Sequence, residues 1–576
     1  MSADAAVDIL LLLAATWTCH FLQASHFGLY EDDWYRVPLV ADLSLPHLWN
    51  LLRGFFAMNV GQGRPLHDVF IYLLSYLGWH LGGLAAIYWL AYGILALNVT
   101  LLYALLRRIS GHRFLALSGS LAFIVFPADT TRQFLTHAFG VQPSLTFLLA
   151  ACHAYLARWR VLSYVLALGC LMSYETFFPL FLAMPLVNTK WDRRTMIGAA
   201  KHGLIMGTAI LAFFLLRKLA GEPRVAGLDV EAILIQSFWA MVLGPFVSMA
   251  QYFRTPIALL LNWRQNISFE LAAVAIICGA TFTWRFSQEV RGIHPEDWAA
   301  YKVCQTKLLH LEVPRVFFEL GKVAIIGAIM LVLAYPLALT TSPTEITGRG
   351  TRVHAAASVG AALLFGTLSA ACVFTARQYG RQRAAALSLA TVLALLAAVA
   401  VSVQSEYSRS WSMQRDFWTQ FVRLSPSARA GTIFLADSTA DIARISAFAW
   451  STAFVLERIY RFPEAWRSPE EAQEIYRQHN SLPPPRLIML GEGYKARYCA
   501  GDDLFAASEW MTRDLPGVVA QYGSSQPDVR FIRSAGNSLV KGESPCAGRP
   551  ADPSPGPTAI KIAELPRRRM YSYLIR

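Results

Sequence analysis

The apolar run ILLLLAATWTCHFLQA at residues 9–24, followed by HFGLYEDDWYRVP at 26–38, sets the class of fold. A helix needs roughly 20 apolar residues to cross a bilayer, and this run comes close to that length. The preceding MSADAAVD lacks the basic region of a signal peptide, and no small-residue cleavage site comes before the acidic residues. We therefore interpret the run as a first transmembrane helix that leads into three adjacent carboxylates, Glu31, Asp32 and Asp33.

The composition extends this interpretation to most of the chain. Of its 576 residues, 55% are hydrophobic and 15% are charged, against about 25% charged residues in soluble proteins. The net charge is +13, but the Lys and Arg residues lie largely in short loops between apolar runs. That placement is typical of the positive-inside bias of membrane proteins rather than of nucleic-acid binding. The sequence thus predicts a multi-pass plasma (inner) membrane protein that contacts membrane lipids and binds no nucleic acid.

The basic loops predict the topology. RRISGHR (107–113), RWR (158–160), KWDRR (190–194) and RQYGRQR (377–383) are expected to be cytoplasmic. With the amino terminus inside, the first helix delivers the carboxylates to the outer side. Because the chain must then cross an odd number of times before RRISGHR, we expect LHDVFIYLLSYLG (66–78) to be an interfacial helix along the outer surface.

The apolar runs predict a mostly α-helical transmembrane bundle of about 11 to 13 crossings within residues 1–404. A first module spans residues 1–220, and variable helices follow in 221–404. Residues 230–284 make either one crossing or three, because GPF and FRTP interrupt them. The bundle is the first of two predicted domains.

The character of the chain changes after residue 404. SEYSRSWSMQRDFWTQFVRL has the pattern of an amphipathic helix, and GTIFLAD, PRLIML and DVRFIRS have the pattern of short strands. Residues 405–576 are therefore expected to form a small α/β domain outside the cytoplasm. There, Cys499 and Cys546 are compatible with one disulfide. The eight cysteines include no CxxC, so the sequence shows no zinc-site spacing.

The carboxylates Glu31, Asp32 and Asp33 are the first candidates for chemistry. Beyond the C-terminal end of a helix they gain nothing from the helix dipole, and they repel one another. A carboxylate kept in such a place suits a general base or a metal ligand. The alternative is a solvated helix end, which needs no function.

Other polar side chains collect on loops that the predicted topology places outside. Carboxylates there suit proton abstraction, and guanidinium groups suit phosphate. The alternatives are arginines that anchor helices at the membrane interface and histidines with structural roles. The candidate substrate-binding residues are Arg64, His67, Asp129, Arg132, Tyr174, Glu175, Arg349 and Arg352.

Four short motifs resemble the GT-C superfamily of polytopic membrane glycosyltransferases. They are YEDDW after the first helix, GRPL at the start of the next apolar segment, VFPADTTRQ at an outer helix end, and SYETFFPLFLAMPL. The resemblance covers about residues 1–220, and it implies a GT-C-type helix bundle. It does not identify a subfamily.

The resemblance implies transfer of a sugar from a polyprenyl-phosphate carrier to a cell-envelope glycan, lipid or protein acceptor outside the membrane. Superfamily members use an acidic residue of the first outer loop as base or to position the acceptor. That role maps onto Asp32 or Asp33, with Asp32 slightly favoured and Glu31 extending the pair to a triple. A single displacement would invert the anomeric centre, with an arginine such as Arg349 or Arg352, or Arg64, stabilising the leaving phosphate. Some members use a divalent cation, Mg²⁺ or Mn²⁺, and whether this chain does so is left open.

A membrane transporter or flippase of a lipid-linked or anionic substrate is the alternative function. Transporters place ionisable residues near the membrane midplane and often contain inverted repeats. In this sequence the polar candidates gather at outer helix ends, and no internal repeat stood out. A polymerase or ligase of surface polysaccharide would use the same carrier with a different acceptor, whereas a non-catalytic scaffold would need none of these residues.

Overall fold

The computed structural model divides into two compact units, one of Met1–Ser25 with Val40–Ser405 and one of His26–Leu39 with Glu406–Arg576. The first is called the bundle unit and the second the tail unit. The structure describes residues 3–41, 43–61, 63–187, 189–221, 230–262, 268–292, 315–338, 342–425, six strands farther along, and Val455, Ile459 and Leu574. Cys499 and Cys546 lie outside these described residues.

Helices make up the bundle unit and begin the tail unit. The α-helices are α1 Ala3–Phe21, α2 Asp33–Ala41, α3 Leu45–Gly61, α4 Pro65–Ser110, α5 Arg113–Ile124, α6 Leu135–Gly140, α7 Gln142–Leu156, α8 Arg160–Ser173, α9 Arg193–Leu219, α10 Val230–Leu261, α11 Phe269–Gly292, α12 Arg315–Leu333, α13 Ala357–Gln378 and α14 Gln382–Leu424. Three 3₁₀ segments complete the helical elements: Ala24–His26, Glu175–Leu186 and Gly348–His354.

Eight helices in the described part of the chain are long and apolar enough to cross a membrane. Three further apolar helices, Arg113–Ile124, Arg160–Ser173 and Glu175–Leu186, have 10–17 residues. The chain is thus a multi-pass membrane protein. The expected 11 to 13 crossings exceed the eight long spans, and the full number stays a prediction.

Helix α4 consists of two halves joined by a sharp bend. Gly82 and Gly83 have non-helical backbone angles, and Gly83 lies in the positive-φ region at 69°, which glycine adopts without strain. A Cβ added at Gly78 would lie 2.8 Å from the Cα of Ile87, although nine residues of straight helix span about 13.5 Å. The first half therefore folds back on the second. An interfacial position for the first half stays a prediction.

Helix α13 packs between α5 and α12 through glycines. A Cβ at Gly366 would lie 2.6 Å from the Leu115 carbonyl oxygen of α5, and one at Gly119 would lie 2.7 Å from the Ala362 carbonyl oxygen. A Cβ at Gly327 of α12 would lie 2.9 Å from the Leu363 Cβ. Small residues let helix backbones approach closely where lipid gives no hydrophobic drive for association. These contacts make α13 central to the bundle unit.

The two ends of the bundle unit can be told apart by their charged residues. At one end, called the Asp8 end, Asp8 of α1 contacts Arg113 of α5 and Arg285 of α11. At the other, called the His20 end, His20 of α1 lies 2.8 Å from the Ile124 carbonyl oxygen of α5. The start of α1 and the basic loop 107–113 thus lie at the same end, as the topology argument requires.

The tail unit contains six short strands: β1 Ser427–Arg429, β2 Ile433–Asp437, β3 Arg486–Leu490, β4 Val529–Ala535, β5 Ser538–Gly542 and β6 Ala559–Lys561. A four-stranded sheet has the order β3-β2-β4-β5, with β2 parallel to both β3 and β4, and β1 pairs with β6. Parallel neighbours require long crossover connections, and these lie outside the described residues. The strands overlap the three segments that the sequence marks, whereas the complete α/β domain and its side of the membrane stay predictions.

Two element boundaries differ from the sequence interpretation. The amphipathic segment after residue 404 continues the preceding helix without a break, so that α14 runs from Gln382 to Leu424. The residues His26–Leu39, which the sequence places in the membrane region, group with the tail unit. They group there because Tyr30 and Trp34 form hydrogen bonds with Tyr407 and Gln414, in the part of α14 beyond residue 405.

Candidate functional site

The acidic residues form a tight turn at the start of α2 in the tail unit. The Asp33 amide donates to the Tyr30 carbonyl at 2.9 Å, and the Tyr30 amide donates to Asp33 Oδ2 at 3.3 Å. Asp33 is fully buried, Glu31 is buried with a positive φ of 46°, and Asp32 is partly exposed. The Asp33 carboxylate therefore holds the turn, and Asp32 is the most exposed member of the triple. The turn folds Glu31 and Asp33 inward, which does not fit the alternative of a fully solvated helix end.

The far end of α14 encloses this turn. The Tyr30 hydroxyl donates to the Tyr407 carbonyl at 2.9 Å, and the Trp34 indole donates to Gln414 Oε1 at 3.1 Å. Burial raises the pKa of the Tyr30 phenol well above its usual value, so the hydroxyl stays protonated and continues to donate. The turn that carries Asp32 thus takes its shape from a helix more than 370 residues away in the sequence.

Arg64, Glu175 and Arg217 meet in the bundle unit from three different elements. Arg64 precedes α4 and donates from Nε to Glu175 Oε2 at 2.7 Å and from Nη2 to Oε1 at 2.5 Å. Arg217, in the last turn of α9, lies 3.5 Å from Glu175 Oε1. Burial alone would raise the pKa of Glu175, but the charges of Arg64 and Arg217 hold it well below its usual range. Glu175 is therefore a permanent anion that orients two guanidinium groups and does not act as a base.

A ring cluster lies next to this ion pair. The Arg64 guanidinium lies over the Tyr174 ring at 4.5 Å, and His67 stacks on the same ring with the ring centres 5.9 Å apart. Gly140 leaves room for His67, because a Cβ there would lie 2.6 Å from His67 Nδ1. Three of the candidate substrate-binding residues, Arg64, His67 and Tyr174, thus lie together in the structure.

His137 is a member of this region that the sequence analysis missed. It is buried, and its Nδ1 has no hydrogen-bond partner among the described residues. It lies within electrostatic range of Arg352, Arg349 and His67. The available signal was its position four residues after the VFPADTTRQ motif, but only the fold shows that the late outer loop reaches it.

Arg349 and Arg352 lie on the 3₁₀ segment Gly348–His354, which is tied down on both sides. The Thr351 hydroxyl accepts from the Thr130 amide at 3.2 Å. At the end of the segment, His354 Nε2 lies 2.8 Å from the Glu345 carbonyl oxygen. The two arginines are therefore presented by a braced segment rather than by a free loop.

A buried hydrogen-bond group anchors His354. The Tyr335 hydroxyl lies 2.8 Å and the Ser248 hydroxyl 3.1 Å from His354 Nδ1. Burial lowers the pKa of His354, so the ring is neutral near pH 7, accepts at Nδ1 and donates from Nε2. Neither Ser248 nor Tyr335 was singled out from the sequence, because their partners lie in distant segments.

Asp129 and Arg132, which the sequence suggests as substrate-binding residues, are both buried and bonded within their own loop. They are 6% and 3% exposed. Asp129 Oδ1 accepts from the Thr131 amide at 3.0 Å and from its hydroxyl at 2.6 Å. Arg132 donates to the Ile124 carbonyl at 3.1 Å and lies 3.7 Å from Asp129. Both side chains fold the loop after α5 inward, which is why they are buried.

A second charged cluster, at the Asp8 end, was not foreseen from the sequence. Asp8 accepts from Arg113 Nε at 2.5 Å, from Arg285 Nε at 2.8 Å and from the Tyr103 hydroxyl at 2.5 Å. Glu289 completes it, 2.8 Å from Arg113 and 2.9 Å from Arg285. Its charges are largely paired with one another, so it joins α1, α5 and α11 rather than offering a ligand site.

Within the described ranges, no group of three His, Cys, Asp or Glu side chains is arranged to hold a metal ion. The acidic turn does not supply one either, because Asp33 is engaged with the Tyr30 amide. The described residues thus show no ligand set for the Mg²⁺ or Mn²⁺ that some superfamily members use.

No family model matches the chain, and neither a curated protein nor a solved structure does.

Proposed function

We propose that the protein is a membrane glycosyltransferase that moves a sugar from a polyprenyl-phosphate carrier to a glycan, lipid or protein acceptor outside the cytoplasm. The observation that carries the proposal is the contact between Thr130 and Thr351, which holds the Gly348–His354 segment, with Arg352, against the loop that leads into α6 and His137. His137 has a buried, unpaired ring nitrogen, and Arg352 forms no salt bridge among the described residues and lies within electrostatic range of that ring. Such an arrangement is suited to a phosphate group.

The arginines have the role of stabilising the leaving group. As the C1–oxygen bond of the donor breaks, its electron pair remains on the lipid phosphate, whose negative charge increases. Guanidinium groups aimed at the developing charge stabilise the transition state. The braced segment Gly348–His354 suits this task, because fixed donors need no reorganisation as the reaction proceeds. Arg64, already held by Glu175, orients the neighbouring Tyr174 and His67 rings.

Asp32 has the role of activating the acceptor. Its carboxylate takes the proton of an acceptor hydroxyl while the acceptor oxygen forms its bond to the sugar C1. Asp33 is buried in the turn and positions Asp32. A single displacement of this kind inverts the configuration at C1.

The rival function, a transporter or flippase, predicts ionisable groups deep in the spans. The Asp8 cluster contains ionisable groups of α1 and α11, Asp8 and Arg285, but it lies at one end of the bundle unit, beside the loop 107–113. Their ion pairs with Arg113 and Glu289 are close and mutual. We therefore assign that cluster a structural role, which leaves the glycosyltransferase as the proposed function.

Binding of a polyprenyl phosphate tests the phosphate site. We expect Arg352→Gln in purified protein to weaken binding by about tenfold or more, the effect of losing one hydrogen bond to a charged group. Arg381→Gln is the matched control, because Arg381 is exposed in the basic loop 377–383. Equal affinity of wild type and Arg352→Gln would refute the assignment of Arg352.

A further inference from the structure

We infer that Gln414 is a positioning residue for the acidic turn, so that the far end of α14 controls the candidate base Asp32. The positioning of the turn by Gln414 is argued from contacts within the tail unit alone. Its effect on catalysis rests on the proposed function, in which Asp32 is the base. It assigns a task to the part of α14 beyond residue 405, which the sequence marks only as amphipathic.

Gln414 bonds to both flanks of the acidic turn. Its Oε1 accepts from the Trp34 indole at 3.1 Å, just after the carboxylates. Its Nε2 donates to the Leu29 carbonyl at 3.2 Å, just before them. The Gln414 side chain is buried, as are Leu29 and Trp34, so water does not readily replace either bond. One side-chain amide therefore sets the spacing between the two ends of the turn.

Two further contacts hold the same turn. The Tyr30 hydroxyl donates to the Tyr407 carbonyl at 2.9 Å and accepts from the Gly28 amide at 3.1 Å. The Trp411 indole covers Gly28 so closely that a Cβ at this position would overlap the ring. Tyr407, Trp411 and Gln414 follow one another at helical spacing of three and four residues, which places them on one face of α14.

The turn needs this support because its backbone is not relaxed. Glu31 has a φ of 46°, a region that residues other than glycine seldom adopt and that persists only where the surroundings impose it. Loosening the turn would shift Asp32, and a misplacement of about 1 Å of a reacting group costs roughly a hundredfold in rate. Gln414 thus acts through Asp32 and does not touch the substrate itself.

The test compares Gln414→Met, which keeps the side-chain volume and removes both bonds, with Trp34→Phe, which removes the bond to Oε1 and part of a buried ring but keeps the bond to Leu29. Arg409→Gln is the control, because Arg409 is exposed on the same stretch of α14. Two properties are measured in full-length purified protein: hydrogen exchange of the backbone amides in residues 26–36, and kcat and KM for sugar transfer.

We expect Gln414→Met to exchange faster in residues 26–36 and to lower kcat by about tenfold to a hundredfold, with KM for the lipid-linked donor unchanged. Trp34→Phe should show a smaller effect of the same kind, and Arg409→Gln none. Unchanged exchange in Gln414→Met would overturn the positioning role, whether or not the protein transfers sugar. Faster exchange with unchanged kcat would overturn the catalytic consequence. Absence of transfer by the wild type would instead refute the proposed function, and the exchange result would still decide the geometry.

Discussion

Arg64 and Glu175 lie 111 residues apart in the sequence and form a two-point ion pair, with Arg64 Nε 2.7 Å from Oε2 and Nη2 2.5 Å from Oε1. The pair joins the start of α4 to the end of α8, and Arg217 adds the end of α9. Three separate segments are thereby fixed around Tyr174 and His67. Stability and the proposed phosphate chemistry depend on the same contact.

Replacing Glu175 with Gln should destabilise the bundle unit. The change leaves Arg64 and Arg217 without their shared anion, and breaking a largely buried ion pair costs about 3–5 kcal/mol. Thermal unfolding in detergent measures the effect. Glu319→Gln is the control, because its pair with Lys322 has a 45% exposed carboxylate and surface pairs contribute only about 0–1 kcal/mol. Equal losses in the two variants would contradict the structural role of the Glu175 pair.

The ion pair of Glu175 should also make the stability of the protein depend on pH in the acid range. The pKa of Glu175 is lowered in the folded state, whereas an unfolded glutamate titrates near about 4.3. The stabilisation is therefore complete above about pH 4.3 and declines as the pH falls from there toward the folded value. We expect the difference in melting temperature between wild type and Glu175→Gln to narrow below about pH 4. A difference that is constant from pH 3 to 7 would refute the lowered pKa.

His354 predicts a different pH window. Burial lowers its pKa in the folded state, so the unfolded chain takes up a proton first as the pH falls through about 6.5. Its contribution to stability is therefore present above that pH and decreases below it. The His354→Gln variant lacks this contribution to the pH dependence of stability. Melting temperatures between pH 5 and 7.5 should fall more steeply for wild type than for the variant, and parallel curves would contradict the prediction.

The close glycine contacts of α13 predict that one added methyl group strongly lowers the stability of the bundle unit. A Cβ at Gly360 would overlap the Leu331 backbone of α12, and overpacking of this kind costs typically about 1–3 kcal/mol. Gly207→Ala in α9 is the matched control, since a Cβ there meets nothing within 4 Å. We expect Gly360→Ala to lower the melting temperature and Gly207→Ala to leave it unchanged or to raise it. The reverse order would refute the packing of α12 on α13.

The local features of the fold followed from the sequence, and the long-range pairings did not. The apolar runs and the strand-like segments depend on residues that neighbour one another in the sequence. By contrast, the link from Trp34 to Gln414 spans 380 residues, and that from Asp8 to Arg285 spans 277. A single sequence contains no signal that connects such residues.

In the candidate site, too, residue types could be chosen from the sequence, whereas the contacts between them could not. Arg64 and Glu175 were selected for their residue types, but their ion pair, which fixes Glu175 as an anion, is a property of the fold. His137 was overlooked because an isolated histidine in an apolar helix looks structural, and only the fold brings the Gly348–His354 segment to the loop that precedes it. Asp129 and Arg132 have the residue types of a substrate site, yet they fold the loop that they belong to.

The central claim is that the protein transfers sugar with Asp32 as the base. The most direct test is transfer from a panel of polyprenyl-phosphate sugars by purified wild type and Asp32→Asn, with melting temperatures measured alongside. We predict that the wild type transfers sugar from at least one donor. We also predict that Asp32→Asn lowers the rate by about a hundredfold or more, the contribution of a general base, without a change in melting temperature. Transfer at the same rate by both proteins, or no transfer by the wild type from any donor, would contradict the account.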